Sequence, residues 1–266
     1  MKLFPKAVGD ARRWPGSGVL AACFFAYVYL PIAILIALSF NENRTVTVWT
    51  EFSFDWYVTA FQNADMLAAA WNSILIAVVA AVSATLVATL AAVAMARDRF
   101  RGQNAVNAMI ALPLTVPEIV TAVATLMFFA LLGFRLGLGT VMAAHTVFCI
   151  PFAYLPIRAR LQGMDEALLE AAADLYAKPA RAFWRVTLPL LSPGILSGLV
   201  LSFIISLDDF VTTSFVGGAG STTLQIYIFG LIKVGVTPEV NAISSLMLVI
   251  SLVLVSLSLF LSSRRN

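Results

Sequence analysis

The sequence predicts an all-α membrane protein of six transmembrane helices, with its N- and C-termini on the cytoplasmic side. Three observations lead there. The first is apolar content: 61% of the 266 residues are hydrophobic, only 12% are charged, and mean hydropathy is +0.92. Water-soluble domains carry about a quarter charged residues and lack long apolar stretches. The second is a set of six apolar runs near 19–40, 68–95, 107–132, 138–158, 193–216 and 241–262. Each supplies the roughly 20 residues that a spanning helix needs. The third is where the positive charge falls.

With the N-terminus inside, the cytoplasmic segments hold Lys2, Lys6, Arg12, Arg13, Arg97, Arg99, Arg101, Arg158, Arg160, Lys178, Arg181, Arg185, Arg264 and Arg265. Only Arg44, Arg135 and Lys233 fall on the other face. That asymmetry orients the chain. The pI of 9.0 therefore reflects topology, and the partner it implies is membrane lipid rather than nucleic acid. Residues 1–266 form a single transmembrane domain, with 41–66, 159–192 and 217–240 as its longest polar connections.

The first run follows a basic N-terminus. At about 22 residues it exceeds the 7–15 of a signal-peptide core, so it is expected to remain as an anchor. Cys23 and Cys149 both fall within helices, which gives no disulfide framework. Pro31, Pro113, Pro117 and Pro151 are expected to interrupt helices one, three and four. "PLTVPEIV" makes helix three the candidate for a kinked, pathway-lining segment. No internal repeat is visible, and six helices alone make a thin pore, so a second membrane subunit is expected.

Helix five carries two carboxylates, Asp208 and Asp209, within "SFIISLDDFVTTSFV". An ionisable group at that depth costs roughly 2.5–3.5 kcal/mol on insertion scales and usually faces a cavity. At about 100° per residue, Ser202, Ser206, Asp209 and Thr213 share one narrow stripe, while Asp208 stands about 100° from Asp209. A regular helix would turn Asp209 toward the pathway and Asp208 toward a neighbouring helix or a partner subunit. In helix three, Thr115, Glu118, Thr121 and Thr125 share a face by the same spacing. Glu118 lies just past Pro117; the alternative is that it is neutral or paired internally. Gly194 and Gly198 form a small-xxx-small pair that suits helix packing. His145 and Cys149 make no zinc site, which usually wants four protein ligands, and His145 is expected to pack with a hydrogen-bonded imidazole.

The loop 159–192 reads as structured. Asp165 is a plausible helix cap, acids come early and bases late, and the Ala-rich centre favours a helix that Pro179 ends. Such a helix would fit a partner's groove or lie on the membrane surface. The stretch "EAAADLYAKPARAFWRVTLP" resembles the cytoplasmic loop of permease subunits of bacterial ABC importers. It matches at Glu170, Ala171, Ala172, Val186, Leu188 and Pro189, and departs at the family's glycine position, occupied here by Tyr176. "YVYLPIAILIALSFN", "FDWYVTAFQN", "AHTVFCIPF", "LSFIISLDDFVTTSFVGG" and "VGVTPEVNA" look like the polyamine-importing branch, the spermidine/putrescine permeases.

The resemblance implies the type I ABC importer permease fold and a multi-pass protein of the bacterial inner membrane. It implies half of a translocation pathway working by alternating access. The partners would be an ABC ATPase dimer, a second permease subunit and a periplasmic polyamine-binding protein. ATP and Mg would sit on the ATPase, consistent with the lack of a G-x-x-x-x-G-K-[ST] loop here. This chain is expected to be no enzyme and to hold no cofactor or metal of its own. Carried over residue by residue, Trp56, Glu118, Ser206, Asp208 and Asp209 become pathway candidates. The polyamine branch usually carries Asp where Glu118 stands, a longer acid by about one methylene. Glu170, Ala171, Ala172, Tyr176, Leu188 and Pro189 become the ATPase-coupling set. The rival cargoes are other small cationic or neutral solutes and amino acids, and the rival class is an ion-gradient-driven carrier or channel.

Overall fold

A computed structural model describes residues 17–45, 48–97, 100–165, 167–235 and 237–263. Lys2, Lys6, Arg12, Arg13, Arg99, Arg264 and Arg265, on which the reading of the termini leans, lie outside the described residues. The apolar runs form α1 (Ser17–Leu38), α3 (Ala64–Arg97), α6 (Leu138–Gln162), α9 (Leu188–Asp208) and α12 (Pro238–Ser263), with α4 (Gln103–Thr115) and α5 (Glu118–Leu131) sharing the third run. Four described helices are individually long and apolar enough to cross a bilayer, or five if the bent α4–α5 pair counts as one span. At 34 residues, α3 runs about 50 Å and outreaches the hydrocarbon core.

At the centre α3, α6 and α9 pack on one another. Lipid tails are as apolar as leucine, so apolar burial adds little here and close backbone approach decides the contact. The sequence supplies small residues for it. Ala77, Ala81, Ala84, Ala88 and Ala92 form a buried stripe along α3 at steps of three and four. Gly194 and Gly198 give α9 its approach to α6: a Cβ on Gly194 would stand 2.8 Å from Arg160 Cβ, and one on Gly198 2.8 Å from the Ala153 carbonyl oxygen. Met95, Tyr154, Ile157 and Leu191 complete the layer at the end toward residue 162.

Two spans are broken: the third where a kink at Pro117 is expected, and the fifth, where the break corrects the expected regular helix over 193–216. Between α4 and α5 the chain turns through 111°. Val116 is extended (φ −86°, ψ 135°), as the residue before a proline prefers, and Glu118 opens α5 directly after Pro117. Pro31, Pro113 and Pro151, expected to interrupt helices, instead lie inside α1, α4 and α6. In the fifth run α9 stops at Asp208, Asp209 is extended (φ −66°, ψ 123°), and α10 (Val211–Val216) follows. Neither Pro nor Gly causes that break. The Asp209 carboxylate accepts the Thr213 N–H at 3.0 Å, a donor that lost its helical acceptor when the helix stopped.

The polar connections are folded as well. The segment after α1 carries α2 (Asp55–Gln62), braced by stacked Phe40 and Phe52 (5.1 Å between rings) and by Tyr57, whose hydroxyl meets Ser39 and Ser245. The loop after α6 carries α7 (Ala167–Asp174), entered through an Asp165 Oδ1 bond to the Ala167 N–H at 3.0 Å. It continues through α8 (Pro179–Ala182) and a wider π turn (Phe183–Thr187) into α9. Beyond α10 lies α11 (Leu224–Val234).

Candidate functional site

The two breaks meet. α5 and α10 pack together, and α10 also packs on α6. Glu118, at the start of α5 and half-buried, is a neighbour of Asp209, so two acids lie close together at the breaks. Asp209 is 4% exposed. Its Oδ1 takes the Thr213 N–H and hydroxyl at 3.0 and 3.3 Å, while its buried Oδ2 has no hydrogen-bond partner among the described residues. A buried carboxylate oxygen without a donor is costly. Asp208, the last residue of α9, is exposed on the surface of the chain. The regular-helix expectation turned Asp209 toward the pathway and Asp208 toward a neighbouring helix or a partner subunit; here Asp209 is buried within the chain and Asp208 is exposed on its surface. The break redirects the chain between them.

Ser206, Asp209 and Thr213 do converge, but on His145 of α6. Its Nδ1 lies 2.8 Å from Ser206 Oγ, and its Nε2 lies 2.9 Å from Thr213 Oγ1 and 3.4 Å from Asp209 Oδ1. Ser202, expected on the same stripe, instead bonds the Cys149 carbonyl at 3.3 Å in the α6–α9 seam. On the α5 side Thr121 and Thr125 turn their hydroxyls onto carbonyls of their own helix, and Thr115 lies across the break on α4. His145 was not singled out for function by sequence because its partners lie 61 and 68 residues away. A lone histidine on an apolar helix carries no local signal.

Trp56 sits on α2, which packs on α12 and α3. Its indole N–H donates to the Asn41 carbonyl at 2.8 Å, so only the ring is left for a ligand. Toward the other end, Glu170 lies in the first turn of α7, where its charge suits the helix dipole. Glu170 and Ala171 are exposed and Ala172 is buried; Leu188 is half-buried and Pro189 exposed at the start of α9. Tyr176 is 95% exposed with φ 56°, the one left-handed non-glycine among the described residues. It closes α7: the Ala177 N–H reaches back to the Ala172 carbonyl at 3.0 Å and the Tyr176 N–H to Ala173 at 2.8 Å, the arrangement that favours glycine. Behind α7 lies a cavity of about 670 Å³, lined among others by Asn107, Tyr154, Arg158 and Glu170.

A profile described as "Binding-protein-dependent transport system inner membrane component" matches residues 84–265. The chain belongs to that family. It is a transport subunit and not an enzyme, a multi-pass membrane protein that works within a binding-protein-dependent system. Among similar proteins is the spermidine/putrescine transport system permease protein PotC of Haemophilus influenzae, 44% identical over 242 residues, 91% of this chain and 94% of the relative. PotC of Escherichia coli K12 is 42% identical, with 90% of each chain covered. The putrescine permease PotI of the same strain is 38% identical, over 89% of this chain and 86% of the relative. The fold matches a bacterial ABC transporter that imports alginate (TM-score 0.67, 18% identity, 93% of this chain and 94% of that one). It also matches the inward-facing MetNI methionine transporter (TM-score 0.63, 18% identity, 76% and 96%). Type I ABC importer permeases therefore share this architecture.

Proposed function

We propose that this chain is one membrane-spanning half of an ATP-driven polyamine importer in the bacterial cytoplasmic membrane. The observation that carries the proposal is the meeting of Glu118 with Asp209 at the two helix breaks, with Asp208 exposed at the end of α9. Putrescine and spermidine are flexible chains with ammonium groups at both ends. An ammonium brings three N–H donors and a positive charge. The unpartnered Asp209 Oδ2 and the Glu118 carboxyl accept such donors, and the charge offsets the cost of holding carboxylates at this depth. Broken helices at membrane depth are tolerated where they line a cavity or are buried in protein. The relatives' names, which give spermidine and putrescine as cargo, support the same reading.

The rest of the assembly follows from surfaces left open. α1 buries none of its apolar window against the chain, which suits a second permease subunit packed beside it. The exposed Glu170 face of α7 is the contact for an ABC ATPase dimer, which would bind ATP and Mg. A periplasmic polyamine-binding protein would deliver cargo from the side of α2 and Trp56, whose ring offers a cation–π contact of about 0.5–2 kcal/mol. Movement of α7 would swing α9 through the continuous helix Pro179–Asp208 and so shift Asp208 and Asp209.

Competition tests the cargo. In proteoliposomes holding the complete complex, unlabelled spermidine and putrescine should suppress uptake of labelled putrescine, and lysine or arginine at the same concentration should not. Equal suppression by the amino acids would reassign the cargo to that class.

A further inference from the structure

The sole histidine of the chain joins the two halves of a broken span through both ring nitrogens. His145 is 1% exposed on α6. Ser206 lies on α9 before the break, Thr213 on α10 beyond it, and Asp209 in the break itself. The donors can be assigned in order. Thr213 Oγ1 donates to Asp209 Oδ1, so its oxygen is left to accept from His145 Nε2–H. Nδ1 then accepts from the Ser206 hydroxyl at 2.8 Å. A neutral imidazole satisfies Ser206, both ring nitrogens, Thr213 and Asp209 Oδ1, and leaves Asp209 Oδ2 open. A second proton on Nδ1 would displace the Ser206 hydrogen, which has no other acceptor among the described contacts.

We infer that His145 is a positioning residue for the cargo: its neutral Nε2–H tautomer fixes Thr213 and Asp209 Oδ1, aiming Oδ2 at the ammonium while leaving the Asp209 charge uncancelled. An imidazolium in the same place would neutralise that charge and weaken cation binding. The neutral ring orients the carboxylate without competing for it. The bonded part of this buried network holds one geometry. The inference rests on the polyamine reading for its cargo, whereas the tautomer is argued from the hydrogen-bond partners and is tested separately.

Two measurements test it. The first compares uptake by His145→Leu and His145→Gln in the complete complex. The Leu variant removes the donor to Thr213 and should raise the putrescine concentration for half-maximal uptake by about tenfold, with maximal rate changed much less. The Gln variant keeps an N–H near the Nε2 position and should stay within about threefold of the parent. A loss confined to maximal rate, or no effect of either variant, overturns the positioning role. The second is nitrogen-15 NMR of the histidine-labelled complex in bilayers, with the His145→Gln complex subtracted to isolate one ring. The Nε2–H neutral form should appear; an Nδ1–H or doubly protonated ring overturns the assignment. If the parent complex takes up no polyamine, the polyamine reading fails, and the NMR spectrum still judges the tautomer.

Discussion

The Thr213 N–H donates to Asp209 Oδ1 at 3.0 Å, so one acid both satisfies the first turn of α10 and sits in the helix break. The two roles separate by substitution. Asp209→Asn keeps an oxygen for the Thr213 N–H and should fold near normally while losing most uptake. Asp209→Leu leaves that buried N–H unsatisfied, at a cost of about 1–3 kcal/mol, and should lower the thermal midpoint as well as abolish uptake. Thermal unfolding in detergent alongside uptake checks the pair; equal stability of the two variants contradicts the capping role.

Gly198 meets the backbone of Ala153, where a Cβ would stand 2.8 Å from the carbonyl oxygen. Backbone cannot swing aside like the end of a side chain. Gly198→Ala should therefore destabilise the α6–α9 seam by about 1–3 kcal/mol, read as a lowered unfolding temperature. Gly230, which has nothing within 4 Å of its Cβ position, is the control and should accept Ala without loss.

Tyr176 holds φ 56° at the end of α7, a conformation that costs an L-residue about 1–2 kcal/mol. Tyr176→Gly relieves the strain and Tyr176→Val worsens it, because β-branching resists this region. Amide exchange over 167–177 should be slowest in the Gly variant and fastest in the Val variant. The reverse order would place the turn's stability in the exposed ring.

Much of this architecture is written in composition. Apolar runs mark α1, α3, α6 and α12 to within a few residues, because the bilayer demands about 20 apolar residues per crossing. Pro117 flags the first break through the constraint on Val116. The second break has no such punctuation: it depends on a side-chain to backbone bond between Asp209 and Thr213, which periodicity cannot see. Helical spacing brings Ser206, Asp209 and Thr213 onto one stripe, yet not the histidine that collects them from another helix. The acids of the site are visible as expensive residues in the wrong solvent. Their orientation is a tertiary property.

ATP-dependent uptake of labelled putrescine by proteoliposomes of the complete complex, parent against Glu118→Gln, tests the central claim most directly. The parent should accumulate putrescine only when ATP is supplied on the ATPase side. Replacing the Glu118 carboxyl by an amide should raise the half-saturating concentration by about tenfold or more, the expected scale for losing a strong acceptor for an ammonium. Uptake that proceeds without ATP, or that is indifferent to Glu118→Gln, would contradict an ATP-driven pathway running past the Glu118–Asp209 pair.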